Sequence, residues 1–321
     1  MIEVKHLTKV YGIHKAVDDL SFTLESGKAY GFLGPNGAGK STTMNIITGC
    51  LSSTEGTVNI EGYDIYEDSK KAKASIGYLP EQPPLYMDMT PLEYLSFVGE
   101  AKGLKKAVLS EQLYSAMKKT DLLDVKDRLI KNLSKGYRQR VGIASVLLGN
   151  PPIIILDEPT VGLDPKQIIE IRDLIASLKK DHTVILSSHI LSEISTVCDY
   201  ILILSHGKLV ASDTPENLSY LLDSNTTLSL LIRGKKEDVE KAFNRLPERG
   251  QFTYEQKEEN ITHALLTFHF QERKTDIRDE IFYHLCDARL PILGMELQSA
   301  SLEEIFLELT QTGGEQDESN L

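Results

Sequence analysis

Short apolar runs separated by turns open the chain. Residues 2–7 and 20–24 have the pattern of half-buried strands, and residues 29–33 form an apolar strand that runs straight into a glycine-rich loop. Residues 42–50 follow as a helix, and strand, glycine loop and helix in that order are the punctuation of an α/β fold. From 90 to 132 the pattern turns helical. Thr90-Pro91-Leu92-Glu93 combines a capping box with proline at the first helical position. Leu92, Leu95 and Val98 give that helix one apolar side. A second helix is predicted over 110–117, so this stretch reads as an all-helical insert. The α/β rhythm then returns with helix 141–148, strand 153–156, helix 165–179, strand 183–187, helix 191–197 and strand 200–204. Unbroken apolar strands between helices predict a mostly parallel sheet buried on both faces.

A different order begins after about residue 222. Strand 227–232, helix 238–246, strands 252–256 and 264–270 about a turn at Asn260, helix 277–288 and strand 292–297 succeed one another. That β-α-β-β-α-β order predicts a small α+β ferredoxin-like domain. Residues 301–309 read as a last helix, and the polar, acidic stretch 311–321 as a disordered tail. The expected organisation is therefore a first domain over 1–222 with its helical subdomain at about 83–135, an accessory domain over 223–310, and the tail.

Composition narrows the class. The chain has 321 residues, 41% of them hydrophobic, which suffices for two cores. Its 35 Lys and Arg against 47 Asp and Glu give a formal charge of −12. This acidic balance argues against a general nucleic-acid binder. The longest aliphatic runs, 153–156 and 201–204, are strand-sized, whereas a bilayer span needs about 20 apolar residues. The first residues lack the layout of a secretory signal. Cys50, Cys198 and Cys286 are odd in number and far apart, which predicts buried free thiols in a reducing compartment. A cytoplasmic protein is expected.

The glycine-rich loop carries the sharpest chemistry. Gly34-Pro35-Asn36-Gly37-Ala38-Gly39-Lys40-Ser41 fits G-x-x-x-x-G-K-[ST], with Thr42 following at the start of the helix. Glycines let backbone N–H groups turn inward around a triphosphate, and the helix adds its positive N-terminal end. Lys40 can reach the β- and γ-phosphates, and Ser41 offers a hydroxyl to Mg²⁺. A second element, Ile153-Ile154-Ile155-Leu156-Asp157-Glu158, is a buried strand that delivers two acids to the carboxyl end of the sheet. Asp157 is placed to help hold Mg²⁺ and Glu158 to orient and deprotonate an attacking water.

Leu133-Ser134-Lys135-Gly136-Tyr137-Arg138-Gln139-Arg140 precedes that strand and starts a helix, so Ser134 and the Gly136 N–H can present donors to an anion. This octapeptide resembles the signature of the nucleotide-binding subunits of ABC transporters. The family's commonest form has glycine and glutamine where Lys135 and Tyr137 stand. The resemblance extends over about residues 1–220 and implies a P-loop NTPase cassette with a mostly parallel core sheet, an antiparallel N-terminal sheet and a helical insert. It implies that Tyr11 stacks on adenine, that Gln82 touches Mg²⁺ and water, that Asp164 lies in the loop meeting a partner subunit, and that His189 contacts the γ-phosphate. It further implies ATP and Mg²⁺ as cofactors and a head-to-tail pair, with a second copy or a homologous cassette, in which Ser134 and Gly136 bind the other subunit's ATP. The remaining partner is a separate transmembrane permease. The chain would then sit on the inner face of the membrane only through that permease, with no nucleic acid involved. Residues 301–310 resemble the ending of cassettes that serve ABC-2-type exporters, including multidrug efflux systems. Two other readings stay open from sequence alone: a soluble ABC ATPase acting on ribosomes or DNA, and a non-hydrolysing regulatory subunit.

Overall fold

The five residues Ala29–Leu33 are buried without exception, on both faces of the chain. Such a segment has to lie inside a sheet covered on two sides, and the architecture follows from that requirement. The computed structural model describes residues 1–221, 226–244, 251–268 and 277–298. In the first unit the elements run β1 (Ile2–Tyr11), β2 (His14–Leu24), β3 (Ala29–Leu33), α1 (Lys40–Ile47), β4 (Glu55–Ile60), β5 (Tyr63–Asp64), α2 (Ser69–Ala74) and β6 (Ile76–Leu79). They continue with α3 (Pro91–Ala101), α4 (Lys106–Lys119), α5 (Lys135–Leu147), β7 (Ile153–Leu156), α6 (Pro165–Leu178), β8 (Thr183–Ser188), α7 (Leu191–Ser195), β9 (Tyr200–Ser205) and β10 (Lys208–Asp213), after which α8 (Pro215–Leu221) opens the second unit.

The principal sheet has the order β10-β9-β3-β8-β7-β6. Pairings from β9 through β6 are parallel, and only β10 runs antiparallel at the edge. A second, antiparallel sheet has the order β2-β1-β4-β5. Phe32, Ile155, Ile185 and Leu202 of the parallel sheet share one core with Met44, Ile46 and Ile47 of α1 and with Ile2, Val4 and Ile60 of the antiparallel sheet. Phe32 is fully buried, so its truncation to alanine would cost about 3–5 kcal/mol. The parallel order brings the carboxyl ends of β3, β7 and β8 to one side, where ligands of open α/β sheets bind.

The insert between β6 and β7 is helical. Thr90 caps α3 by the predicted box, accepting from the Glu93 N–H while the Glu93 carboxylate accepts from the Thr90 N–H. The buried side of α3 is Pro91, Tyr94, Leu95 and Gly99, with Leu92 and Val98 only half-buried beside it. The apolar stripe is thus rotated from the predicted one because Tyr94 turns its ring inward.

The second unit contains β11 (Thr226–Arg233), α9 (Lys236–Phe243), β12 (Gln251–Glu258), β13 (Ile261–Phe268), α10 (Ile277–Asp287) and β14 (Ile292–Gln298). Its sheet order is β12-β13-β11-β14, antiparallel throughout, which is the ferredoxin-like split arrangement. Leu228, Leu230 and Ile232 pack with Val239, Phe243, Ile281 and Leu285 of its helices. The division between units falls at Pro215/Glu216 rather than after 222. The helix and tail expected over 301–321 lie outside the described residues. Of the cysteines only Cys198 is buried; Cys50 and Cys286 are exposed, contrary to expectation. Cys50 follows the turn that ends α1, and Cys286 follows Leu285, the residue that α10 turns into its core.

Candidate functional site

Backbone geometry after β3 sets the site. The chain leaves Leu33, turns through Gly37 at φ +85° and enters α1 at Gly39, whose φ is +99°. A Cβ on Gly39 would lie 2.5 Å from the Ala16 carbonyl oxygen, so glycine alone fits both the dihedral and the space. No side chain caps α1, and its first N–H groups face the loop unshared with a capping oxygen. Lys40 is buried. Its Nζ donates to the Gly34 carbonyl at 2.7 Å and the Pro35 carbonyl at 3.2 Å, and lies 3.5 Å from Glu158 Oε1.

Strand β7 delivers the acid pair. The Asp157 N–H donates to Leu79 O, extending the ladder with β6 by one residue. Asp157 is 3% exposed; its Oδ1 accepts from Ser187 Oγ at 2.5 Å and from Ser41 Oγ at 3.3 Å. Glu158 then turns at φ +47°, a left-handed conformation that costs a non-glycine residue about 1–3 kcal/mol and is held by its surroundings. Its N–H donates to Ser187 Oγ at 2.9 Å, and its Oε2 lies 3.0 Å from Nδ1 of His189. A single hydroxyl on β8, Ser187, thus fixes both acids.

Of the predicted residues, Tyr11, Asn36, Gly37, Gly39, Lys40, Ser41, Thr42, Glu158 and His189 line one cavity of about 460 Å³. Gly34, Pro35 and Ala38 form the turn behind it, with the Ala38 N–H donating to Pro35 O. Asp157 adjoins it through Ser41. Tyr11 is half exposed, with the Lys9 ammonium 5.2 Å from its ring centre. Gln82 does not line the cavity and is exposed; Glu81 lines it instead. Both residues lie in the bend that follows β6 and Pro80, and that bend turns Glu81 toward the phosphate loop.

Ser134, Gly136 and Asp164 line a different cavity, of about 650 Å³. Ser134 caps α5 by accepting from the Tyr137 N–H at 3.3 Å, and Asp164 caps α6 by accepting from the Gln167 N–H at 2.9 Å. The two helix starts are packed closely: a Cβ on Gly136 would meet the Gln167 side chain at 2.6 Å. Arg140 ties the same elements together, donating to Thr120 O, Asp121 Oδ2 and Glu170 Oε2 at 3.2, 3.1 and 2.8 Å. One chain therefore holds the phosphate loop and the Ser134 helix start in separate cavities.

Ser41 Oγ and Asp157 Oδ1 form a two-oxygen set of hard ligands, suited to Mg²⁺ once phosphate oxygens and water complete the shell. Among the described residues no group of three or more His, Cys, Asp or Glu side chains is disposed to hold a metal. Sequence reasoning overlooked Glu81 and Ser187. The run Ser187-Ser188-His189 at a strand end was the available signal for the second; for Glu81 the signal was its position directly after Pro80.

A family model described as ABC transporter matches residues 17–161. The linearmycin resistance ATP-binding protein LnrL of Bacillus subtilis is 31% identical over 311 residues, covering 97% of this chain and 98% of that protein. The lantibiotic transport ATP-binding protein SrtF of Streptococcus pyogenes is 37% identical over 228 residues, covering 70% of this chain and 96% of that protein. Among solved structures, a dimeric ATP-binding cassette, MJ0796, bound to ADP and Pi, superposes with a TM-score of 0.61 at 27% identity, covering 67% of this chain and 98% of that one.

Proposed function

Because the chain belongs to the ATP-binding proteins of ABC transporters, and is with them an ATPase coupled to transport, we propose that two copies close head to tail around two ATP and drive an exporter. The observation that carries the dimeric reading is the separation of the half-sites: the Lys40 loop and the Ser134 helix start line different cavities of one chain. A second copy turned head to tail brings one against the other. The dimeric form of the related cassette supports this arrangement.

In this reading Lys40 exchanges the Gly34 and Pro35 carbonyls and Glu158 for phosphate oxygens of ATP. Tyr11 stacks on the base, and the amides of residues 34–42 cradle the phosphates. Ser41 and Asp157 would hold Mg²⁺, which when bound supplies charge neutralisation across the phosphate oxygens. Glu81, rather than Gln82, faces them from the end of β6. Glu158 orients water and takes its proton, with its carboxylate aimed by His189 and by the strained turn. His189, Lys40 and the second copy's signature helix oppose the charge that develops on the transferring group.

The permease partner is inferred from the family, and its docking surface from exposed aromatic rings on the insert. Tyr86 is 52% and Phe97 46% exposed, and their ring centres lie 5.5 Å apart. No described helix is long and apolar enough to cross a membrane, and we place the chain on the cytoplasmic face through that contact. LnrL and SrtF, by name, serve linearmycin resistance and lantibiotic transport, and the likeness to LnrL runs through both units. That likeness favours an ABC-2-type exporter of antibiotic-like compounds; nothing favours a ribosome- or DNA-associated ATPase. The test is light scattering of the Glu158→Gln variant with and without MgATP. A dimer that needs ATP, and is lost on Ser134→Arg, is expected; a monomer under all conditions would overturn the reading.

A further inference from the structure

Glu193 lies on α7, outside the cavity that holds Lys40 and Glu158, and is only 6% exposed. A carboxylate withdrawn from water needs strong donors. Its Oε2 accepts two hydroxyl bonds, from Thr160 Oγ1 at 2.5 Å and from Ser188 Oγ at 3.1 Å. Ser188 Oγ in turn accepts from the Ile190 N–H at 3.0 Å, fixing the chain on both sides of His189. Thr160, also buried, belongs to the loop between Glu158 and Asp164, and its carbonyl accepts from the Leu163 N–H. One carboxylate oxygen thus joins two loops: the one that carries Glu158 to the Asp164 cap of α6, and the one that carries His189.

We propose that Glu193 is a positioning residue for ATP hydrolysis, coupling the 158–164 loop to the His189 turn so that both groups of the His189–Glu158 pair are set together. The inference rests on the roles given above to Glu158 and His189. Hydroxyls donating to a charged acceptor make strong, short bonds, and a buried carboxylate oxygen held by two of them keeps its geometry. Asp164 opens α6 on the cavity that the second copy approaches, so movement of that loop on dimer closure reaches His189 through Thr160, Glu193 and Ser188. Glu193 lines neither cavity, so it acts on the catalytic step and not on nucleotide affinity.

The experiment measures kcat and KM for MgATP in the full chain, beside melting temperature and equilibrium nucleotide binding. Glu193→Ala should lower kcat by about 10- to 100-fold, the scale set by displacing a reacting group by an ångström, while KM and nucleotide affinity hold. Glu193→Gln offers one oxygen to both hydroxyls and should recover most of kcat. It also keeps the proposal testable if the alanine variant does not fold. Thr160→Val and Ser188→Ala each cut one arm of the link, so the double variant should be no slower than the slower single one. Wild-type kcat in Glu193→Ala, a parallel loss of affinity, no recovery in Glu193→Gln, or additive losses in the double variant would each overturn the proposal. Glu158→Gln run alongside separates the two readings: if it stays active, the assignment of the base has failed, whereas an inactive Glu158→Gln beside a fully active Glu193→Ala sinks the coupling alone.

Discussion

Nδ1 of His189 lies 3.0 Å from Oε2 of Glu158, although the two residues end neighbouring strands rather than adjoining in sequence. The other oxygen of that carboxylate lies 3.5 Å from Lys40 Nζ. When ATP draws that ammonium away, the imidazole still holds the carboxylate, and a base for an attacking water requires one orientation. Glu158→Gln preserves shape and hydrogen-bonding capacity but cannot take the proton. Turnover should fall by about 10²–10⁴-fold, with nucleotide still bound. Phosphate release under single-turnover conditions checks this; a rate near wild type would remove Glu158 from the role.

Lys40 is buried in the loop, with its Nζ against the Gly34 and Pro35 carbonyls. Lys40→Ala removes a charge-assisted bond worth about 1.5–3 kcal/mol, so ATP affinity should weaken by about ten- to a hundredfold. Calorimetric titration with a non-hydrolysed ATP analogue measures it. Unchanged affinity would place the triphosphate elsewhere.

The parts of the fold that were legible in sequence are those whose signal is local. Residues 153–156 and 29–33 are unbroken apolar runs, and both are strands with those bounds. The Thr90 box predicted the start of α3 to the residue. Strand β6 was missed because Gly77 reads as a breaker. It is there for a long-range reason: a Cβ would lie 2.5 Å from the Val146 carbonyl of α5. Strands β4 and β10 were missed because they are edge or near-edge elements, with few or no fully buried side chains. At the site, the loop and the acid pair were legible because spacing alone defines them. The offset between Glu81 and Gln82 was not, since which side chain faces inward depends on how the strand ends. The clustering of Thr160 with Ser188 and Glu193 joins two separated stretches of chain and has no local signature.

That offset separates two neighbours experimentally. Glu81 lines the phosphate cavity and Gln82 does not. Glu81→Ala should reduce kcat by about tenfold or more, in line with loss of a positioned acid–base or water-holding group, and should raise the Mg²⁺ concentration needed for half-maximal rate. Gln82→Ala should leave both within the range of an exposed substitution. The reverse ranking would restore Gln82 to the role expected from sequence.

The exposed rings of Tyr86 and Phe97 bear on the partner and not on the chemistry. Replacing both by serine removes apolar surface without opening a core. The chain's own ATPase rate should hold, while co-purification with a co-expressed permease should drop. Retained co-purification would move the docking surface away from this face of the insert.

Asp199 illustrates how acid should act on the fold. Burial pushes its carboxyl up, but the Ala29 N–H, the Lys179 ammonium and the nearby Lys28 charge outweigh that and hold it below its ordinary value. The Ala29 bond is 2.9 Å and the Lys179 bond 2.7 Å, so one side chain ties the residue after α6 to the first residue of β3. A carboxyl whose pKa is lower in the folded chain leaves the unfolded chain holding more protons as pH falls. Its stabilisation is therefore complete above the ordinary carboxylate range and disappears as pH drops through it to the lower folded value. Asp199→Asn keeps an acceptor for Ala29 but loses the charge. With the ion pair largely open to solvent, the loss at pH 7 should be no more than about 1 kcal/mol. Urea unfolding of both proteins from pH 7 down to pH 3 should find that gap closing as acid is added. A gap that widened instead would mean that burial, and not the Ala29 and Lys179 contacts, governs this carboxyl.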